Sequence, residues 1–206
     1  MEEKDIYSEL SSIRNLMERS SKFISLSGLS GVMAGVYALI GAFITYQIVY
    51  PTHAGFQNRL FYVTDHEVIF PLFAIAVAVL FLSILTGIWL SIRQAKKKEE
   101  KFWNPVSKRL LTNLAIPLFT GGIFILIQIL HQNYGIVASA CLIFYGLSLI
   151  AGSHYTFSDV KWLGFCELIL GLAAALLPGY GLLFWALGFG VLHIIYGAIM
   201  HFKYKQ

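Results

Sequence analysis

Two ionisable residues stand inside long apolar runs: Glu167 in WLGFCELILGLAAALL and His193 in WALGFGVLHIIYGAIM. A charge at bilayer depth costs at least about 2.5 kcal/mol on insertion scales, so such a group needs a partner or a task. At about 1.5 Å of rise per residue, Glu167 lies about 9 Å past Lys161 and His193 about 13 Å before Phe202, measured from the same interface. The tight turn Pro178-Gly179-Tyr180-Gly181 joins their two runs, so the two side chains can pair. Tyr196 is one turn from His193 on the same face, and His154 stands near the inner mouth of the group. Burial and a carboxylate partner move a histidine across physiological pH, which would make this cluster responsive to protons or cations. The bland alternative is an interhelical hydrogen bond, or a glutamate kept neutral or snorkelling to the interface.

Other chemistry is thinly represented. His53, Asp65 and His66, with Glu67 and His131, are of metal-ligating types, but consecutive residues on a regular element cannot all face one ion, and Glu67 is placed to cap a helix. A solvated loop is the expectation there, with no metal and no cofactor. Cys141 and Cys166 both lie in apolar runs without ligand spacing and read as small packing residues. A nucleophile elbow, HExxH, a phosphate-binding glycine loop and CxxC are all absent from the sequence, and an enzyme is not expected.

What must position these groups is a membrane bundle. Of 206 residues 57% are hydrophobic and 13% charged, about half the charge of an ordinary soluble domain, and the mean hydropathy is +0.70. The pattern predicts an all-α polytopic membrane protein with six spans, at about 23–50, 68–92, 110–130, 136–152, 162–177 and 181–202. Pro117 and Gly121-Gly122 should kink or loosen the third span and act as a hinge. Asn113 and Gln128 in that span read as interhelical glue.

The net charge of +4 marks topology rather than nucleic acid, because the cations cluster between apolar runs. With the N-terminus inside, every Lys and Arg except Arg59 falls on the cytoplasmic side, which predicts both termini cytoplasmic and an even number of spans. Trp89, Trp103 and Trp162 at one interface and Tyr46, Tyr50, Tyr134, Tyr180 and Trp185 at the other supply aromatic belts. Residues 1–22 carry Ile6, Leu10, Ile13 and Met17 on one stripe of an amphipathic helix. Its acids and bases nearly balance, which favours packing on the bundle's inner face or on a partner helix over lying on lipid alone.

Within the first span, SLSGLSGVMAGVYALIGA at 25–42 puts Ser27, Gly31, Gly35, Ala38 and Ala42 on one small-residue face. In lipid such a face lets another helix approach closely. In a six-span chain its partners are expected to be the glycine-rich spans that hold Glu167 and His193, although the oligomeric state stays open.

The last hairpin, WLGFCELILGLAAALLPGYG followed by WALGFGVLHIIYGAIM, resembles the Gly-rich hairpins of the HdeD-type acid-resistance membrane proteins. The 25–42 stretch with its preceding polar helix is similar to that of uncharacterised small six-span bacterial membrane proteins. The resemblance implies a bacterial inner-membrane protein connected with stress or envelope physiology, and it carries no catalytic residue. Two functions are then expected to compete. One is a non-catalytic bundle that anchors, senses or regulates, with membrane lipids and a cytoplasmic protein at the N-terminal helix as partners. The other is a small proton- or cation-responsive transporter or channel using the Glu167 and His193 pair.

Overall fold

The computed structural model describes residues 27–49, 66–99 and 101–204, with the side chains of 66–68 left aside. The stretch 1–22, His53, Asp65 and the side chains of His66 and Glu67 therefore lie outside the described residues. Every regular element described is helical. In chain order these are α1 (Gly28–Val49), α2 (His66–Lys97), α3 (Pro105–Leu130), a 3-10 turn (Tyr134–Ile136), α4 (Val137–Gly152), a second 3-10 turn (Ser153–Tyr155) and α5 (Asp159–Leu176). The final segment is composite, with α6 (Gly181–Trp185), a π-helical stretch (Ala186–Leu192) and α7 (His193–Lys203) following without a gap.

Among the described residues five segments are long and apolar enough to cross a membrane: α1, Ile69–Lys97 of α2, α3, Tyr134–Tyr155 around α4, and Gly181–Lys203. They mark the chain as a helical membrane protein. Helix α5 has 18 residues but carries Asp159, Lys161 and Glu167. Large apolar side chains such as Phe70, Phe119, Leu130 and Leu176 stand outward, a surface that lipid solvates and water would not.

The helix ends follow local chemistry. Asn104 caps α3: its Oδ1 accepts from the Ser107 amide at 2.8 Å while Ser107 Oγ accepts from the Asn104 amide at 2.9 Å, and Pro105 opens the first turn. This reciprocal cap starts α3 five residues before the expected 110. At the other end of that connection α2 continues past Ile92 to Lys97, with Arg93 over the Trp89 ring at 5.9 Å. Polar residues there extend helices beyond their apolar cores.

Helix α3 carries the residues expected to act as a hinge. The helix runs unbroken through Pro117, and Gly121 serves to admit the Phe144 ring of α4, since a Cβ there would sit 2.5 Å from Phe144 Cγ. Gly122 faces open space. The helical assignment does not break at these residues, and the π-helical backbone among the described residues lies in the last segment. Asn113 is likewise not interhelical glue, because its Nδ2 donates to Arg109 O one turn back in the same helix. The α3–α4 hydrogen bond comes from Ser148 Oγ, which donates to Leu114 O at 2.8 Å. Cys166 is exposed and Cys141 half-buried, so only the latter packs as expected.

Two helix pairs approach backbone to backbone. In the first, α4 meets α5, where a Cβ on Gly146 would lie 2.7 Å from Gly164 O and one on Gly164 2.8 Å from Gly146 O. In the second, α1 meets the last segment. A Cβ on Gly197 would lie 2.5 Å from the Val32 amide nitrogen and 2.7 Å from Gly28 O, and one on Gly35 would lie 2.6 Å from Gly190 O. The other side of α1 receives α2, with Gly41 under Val79 and Tyr37 Oη within 3.3 Å of Thr86 Oγ1. Ala38 and Ala42 are buried between these neighbours.

Gly197→Leu is accordingly expected to destabilise the bundle by about 1–3 kcal/mol or more through overpacking against α1. Gly122→Leu, which meets nothing, should change stability by less than about 1 kcal/mol. Reversible unfolding of each variant in mixed detergent micelles, compared with the parent chain, measures both.

Candidate functional site

Glu167 of α5 and His193 of α7 are brought together in the interior. Glu167 is 0% exposed and His193 5%, and His193 Nδ1 lies 3.3 Å from Glu167 Oε1. Two further contacts fix the imidazole. Its Nδ1 lies 3.0 Å from the carbonyl oxygen of Gly188, which can only accept, so Nδ1 carries a proton. Its Nε2 lies 2.7 Å from Tyr145 Oη of α4. In a neutral ring Nε2 then accepts from the tyrosine; in an imidazolium it donates to it.

The π-helical stretch makes this geometry. A π turn carries one more residue than an α turn and displaces the carbonyls that follow, and such turns are common where side chains do chemistry. Here it presents Gly188 O to His193, five residues on. Gly188 also has no side chain where Glu167 needs room: a Cβ would stand 2.5 Å from Glu167 Oε2 and 2.5 Å from Leu142 Cδ2. The same stretch meets α1 through Gly190, whose Cβ would collide with the Leu39 side chain.

Neither Glu167 oxygen has a hydrogen-bond partner among the described residues; the imidazole edge approaches Oε1 to 3.3 Å. Tyr196, the expected third member, places its hydroxyl in the interior without a hydrogen-bond partner among the described residues. It packs instead beside Phe157, Val160 and Met200. His154 stands exposed in the 3-10 turn after α4 and does not join the cluster. Tyr145 takes the place foreseen for them. Rings extend from the pair in one direction, with Tyr145 and Phe189 centroids 5.1 Å apart, Phe189 and His193 6.0 Å, and Phe189 and Trp185 5.6 Å.

Trp185 in turn lines an apolar cavity of about 220 Å³ at the end of the bundle where α1 finishes and α4 begins, with Thr45, Val49, Phe73, Ala138 and Cys141 among its walls. The opposite end is held by charge. Lys203 Nζ donates to Asp159 Oδ1 and Oδ2 at 3.0 and 2.9 Å, and Tyr204 Oη donates to Asp159 Oδ2 at 2.8 Å. The Phe157 and Tyr204 rings stack at 4.2 Å beneath. Partial burial works to raise the Asp159 pKa, but the hydrogen bonds from Lys203 and Tyr204 and the charge of Lys203 outweigh it and hold the carboxyl below its usual range. Among the described residues no group of three His, Cys, Asp or Glu side chains is placed to hold a metal ion.

Fold and site together define a helical membrane bundle with a buried carboxylate–imidazole–phenol cluster. No family model matches the chain, and no curated protein or solved structure matches it significantly.

Tyr145→Phe removes the partner of His193 Nε2 and is expected to cost about 1–3 kcal/mol. Unfolding of that variant in micelles measures it. Because the folded carboxyl of Asp159 is the stronger acid, the clamp stabilises the fold above the unfolded value of about 3.9 and is lost as pH falls through the lower folded value. Asp159→Asn should flatten that acid limb in unfolding profiles taken between pH 2 and 5, and added salt should shrink the difference.

Proposed function

We propose that the protein is a non-catalytic six-span bundle of the bacterial inner membrane that senses or regulates, with the Glu167–His193–Tyr145 cluster as its proton-responsive element. One observation carries this reading: a glutamate with 0% exposure whose carboxylate lies 3.3 Å from a histidine ring nitrogen. A buried pair of this kind is expensive as isolated charges, and one proton more or less changes which neighbours it can satisfy. The groups facing it are Tyr145 from α4 and Gly188 O from its own segment, while α1 sets Leu39 and Gly35 against that segment. The cluster therefore answers to its own proton and to little other charge.

Topology supports an inner-membrane reading. Lys96 and Lys97 end α2, Lys108 and Arg109 begin α3, Lys161 begins α5 and Lys203 ends α7, so the cations gather at one end of an alternating bundle. In this reading α5 is the fifth span, both termini are cytoplasmic, and residues 1–22 with the basic α2–α3 connection engage a cytoplasmic partner or anionic lipid.

A second reading, a small proton- or cation-responsive transporter, is favoured by the π-helical stretch beside the pair, since non-α backbone at membrane depth is tolerated where it lines a protein-buried site. A variant keeping Trp185 as its only tryptophan, reconstituted in lipid nanodiscs, is expected to show a pH-dependent emission step, relayed through Phe189, that disappears in Glu167→Gln. A step that persists in Glu167→Gln would remove the basis of the proposal. Proton flux in liposomes that also depends on Glu167 would favour the transport reading.

A further inference from the structure

We infer that the apolar cavity beside Trp185 seats one acyl chain of a bilayer phospholipid, a binding site separate from the Glu167–His193 pair and independent of what that pair does. The cavity measures about 220 Å³ and takes its walls from α1, α2, α3, α4 and α6. Its chemistry excludes most ligands. Among the described residues no charged side chain lines it, and the side-chain heteroatoms of the wall come from Thr45, Tyr134, Cys141 and Trp185. A sugar, a nucleotide or a metal ion would leave its polar or charged groups unpaired there, and ordered water needs several polar partners. An apolar cavity of about 150 Å³ already admits benzene, so this one has room for a run of methylene groups.

The packing of the helices shows where such a chain comes from. Although consecutive in sequence, α2 and α3 barely touch among the described residues: α2 packs on α1, and α3 on α4. Both nonetheless wall the cavity, α2 through residues between Ile69 and Ala76 and α3 through Ile129 in its last turn, so the cavity continues the gap between them. Phe70, Phe73 and Leu130 flank that gap and stand outward on the surface that lipid solvates. The space is therefore continuous with the hydrocarbon phase, and its occupant is the molecule that phase is made of. Depth agrees. From Ile69 to Ala76 the rise along α2 is about 10 Å, within the roughly 15 Å that the chains of one leaflet cover. A lipid of that leaflet can pass one chain between α2 and α3 while its headgroup stays at the interface. Left empty, the walls would lack dispersion partners on one side; a chain supplies them, and it reaches past the outer surface to Ala138 of α4 and the indole of Trp185.

The test places the full chain, with Trp185 as its one tryptophan, in nanodiscs of phosphatidylcholine whose acyl chains either carry bromine or do not, because bromine quenches an indole that it touches. Trp185 emission is expected to fall at least about twofold in the brominated lipid, a loss that requires side chain and acyl chain to be in contact. Ala138→Leu fills the cavity from α4 and should restore about half or more of the lost emission by breaking that contact. Ala76→Leu fills it from the exposed side of α2 and keeps the test decisive if the first variant does not fold. A companion protein with Trp162 as its one tryptophan, exposed on α5 and outside the cavity, serves as the reference for quenching by the surrounding lipid. Trp185 emission indifferent to bromine, or quenched equally in the parent and the filled variants, overturns the site and leaves the cavity to another part of the chain or to a second copy. No pH change enters the measurement, so either result leaves the proton-responsive reading as it stands.

Discussion

The structure depends on backbones being allowed to touch. In lipid no water drives helices together, so attraction has to come from many short-range contacts and from hydrogen bonds that lipid cannot offer. Glycine provides the first by removing the side chain that would hold two helices apart. Gly146 against Gly164, Gly171 against Ile143, and Gly28, Gly31 and Gly35 against Gly190 and Gly197 set the spacing of α4, α5, α1 and the last segment. The tight packing of Leu142, Ser148, Met200 and Glu167, each with at most 2% exposure, follows from that spacing.

The same constraint explains why a carboxylate can be buried here. Gly188 leaves the volume that Glu167 occupies, and the π turn aims the Gly188 carbonyl at the histidine that faces it. An α-helical register over Ala186–Leu192 would displace that carbonyl relative to the ring. Irregular backbone and ionisable side chain thus occur together for one geometric reason. The ion pair of Lys203 with Asp159 differs in kind, since both partners reach solvent and their attraction is screened.

Helices, their apolar reach and the small-residue seam of α1 were legible in the sequence because composition and spacing encode them directly. Glu167 and His193 stood out because a charged residue in an apolar run is rare and a tight turn sets their depths side by side. Tyr145 was not legible as the histidine's partner. Tyrosines are ordinary in such runs, and which one meets the ring depends on rotation of α4 about its axis, which Gly146 and Gly164 determine only once packed. Tyr196 was expected in the polar cluster because it shares a face with His193, yet its ring points along the helix toward Phe157 and Met200. The π turn escaped because its signal is a fit between glycines and a distant glutamate.

Among the described residues helix α2 meets α1 along a seam, with Gly41 under Val79 and Tyr37 beside Thr86; much of its apolar length faces outward, while Leu90 and Ala95 near its end are buried. Helix α1 in turn touches the backbone at Gly190 and Gly197, to either side of His193 in the sequence. The glycine contacts of one helix thus bracket, in the sequence, the histidine of a buried acid and base pair that no lipid reaches.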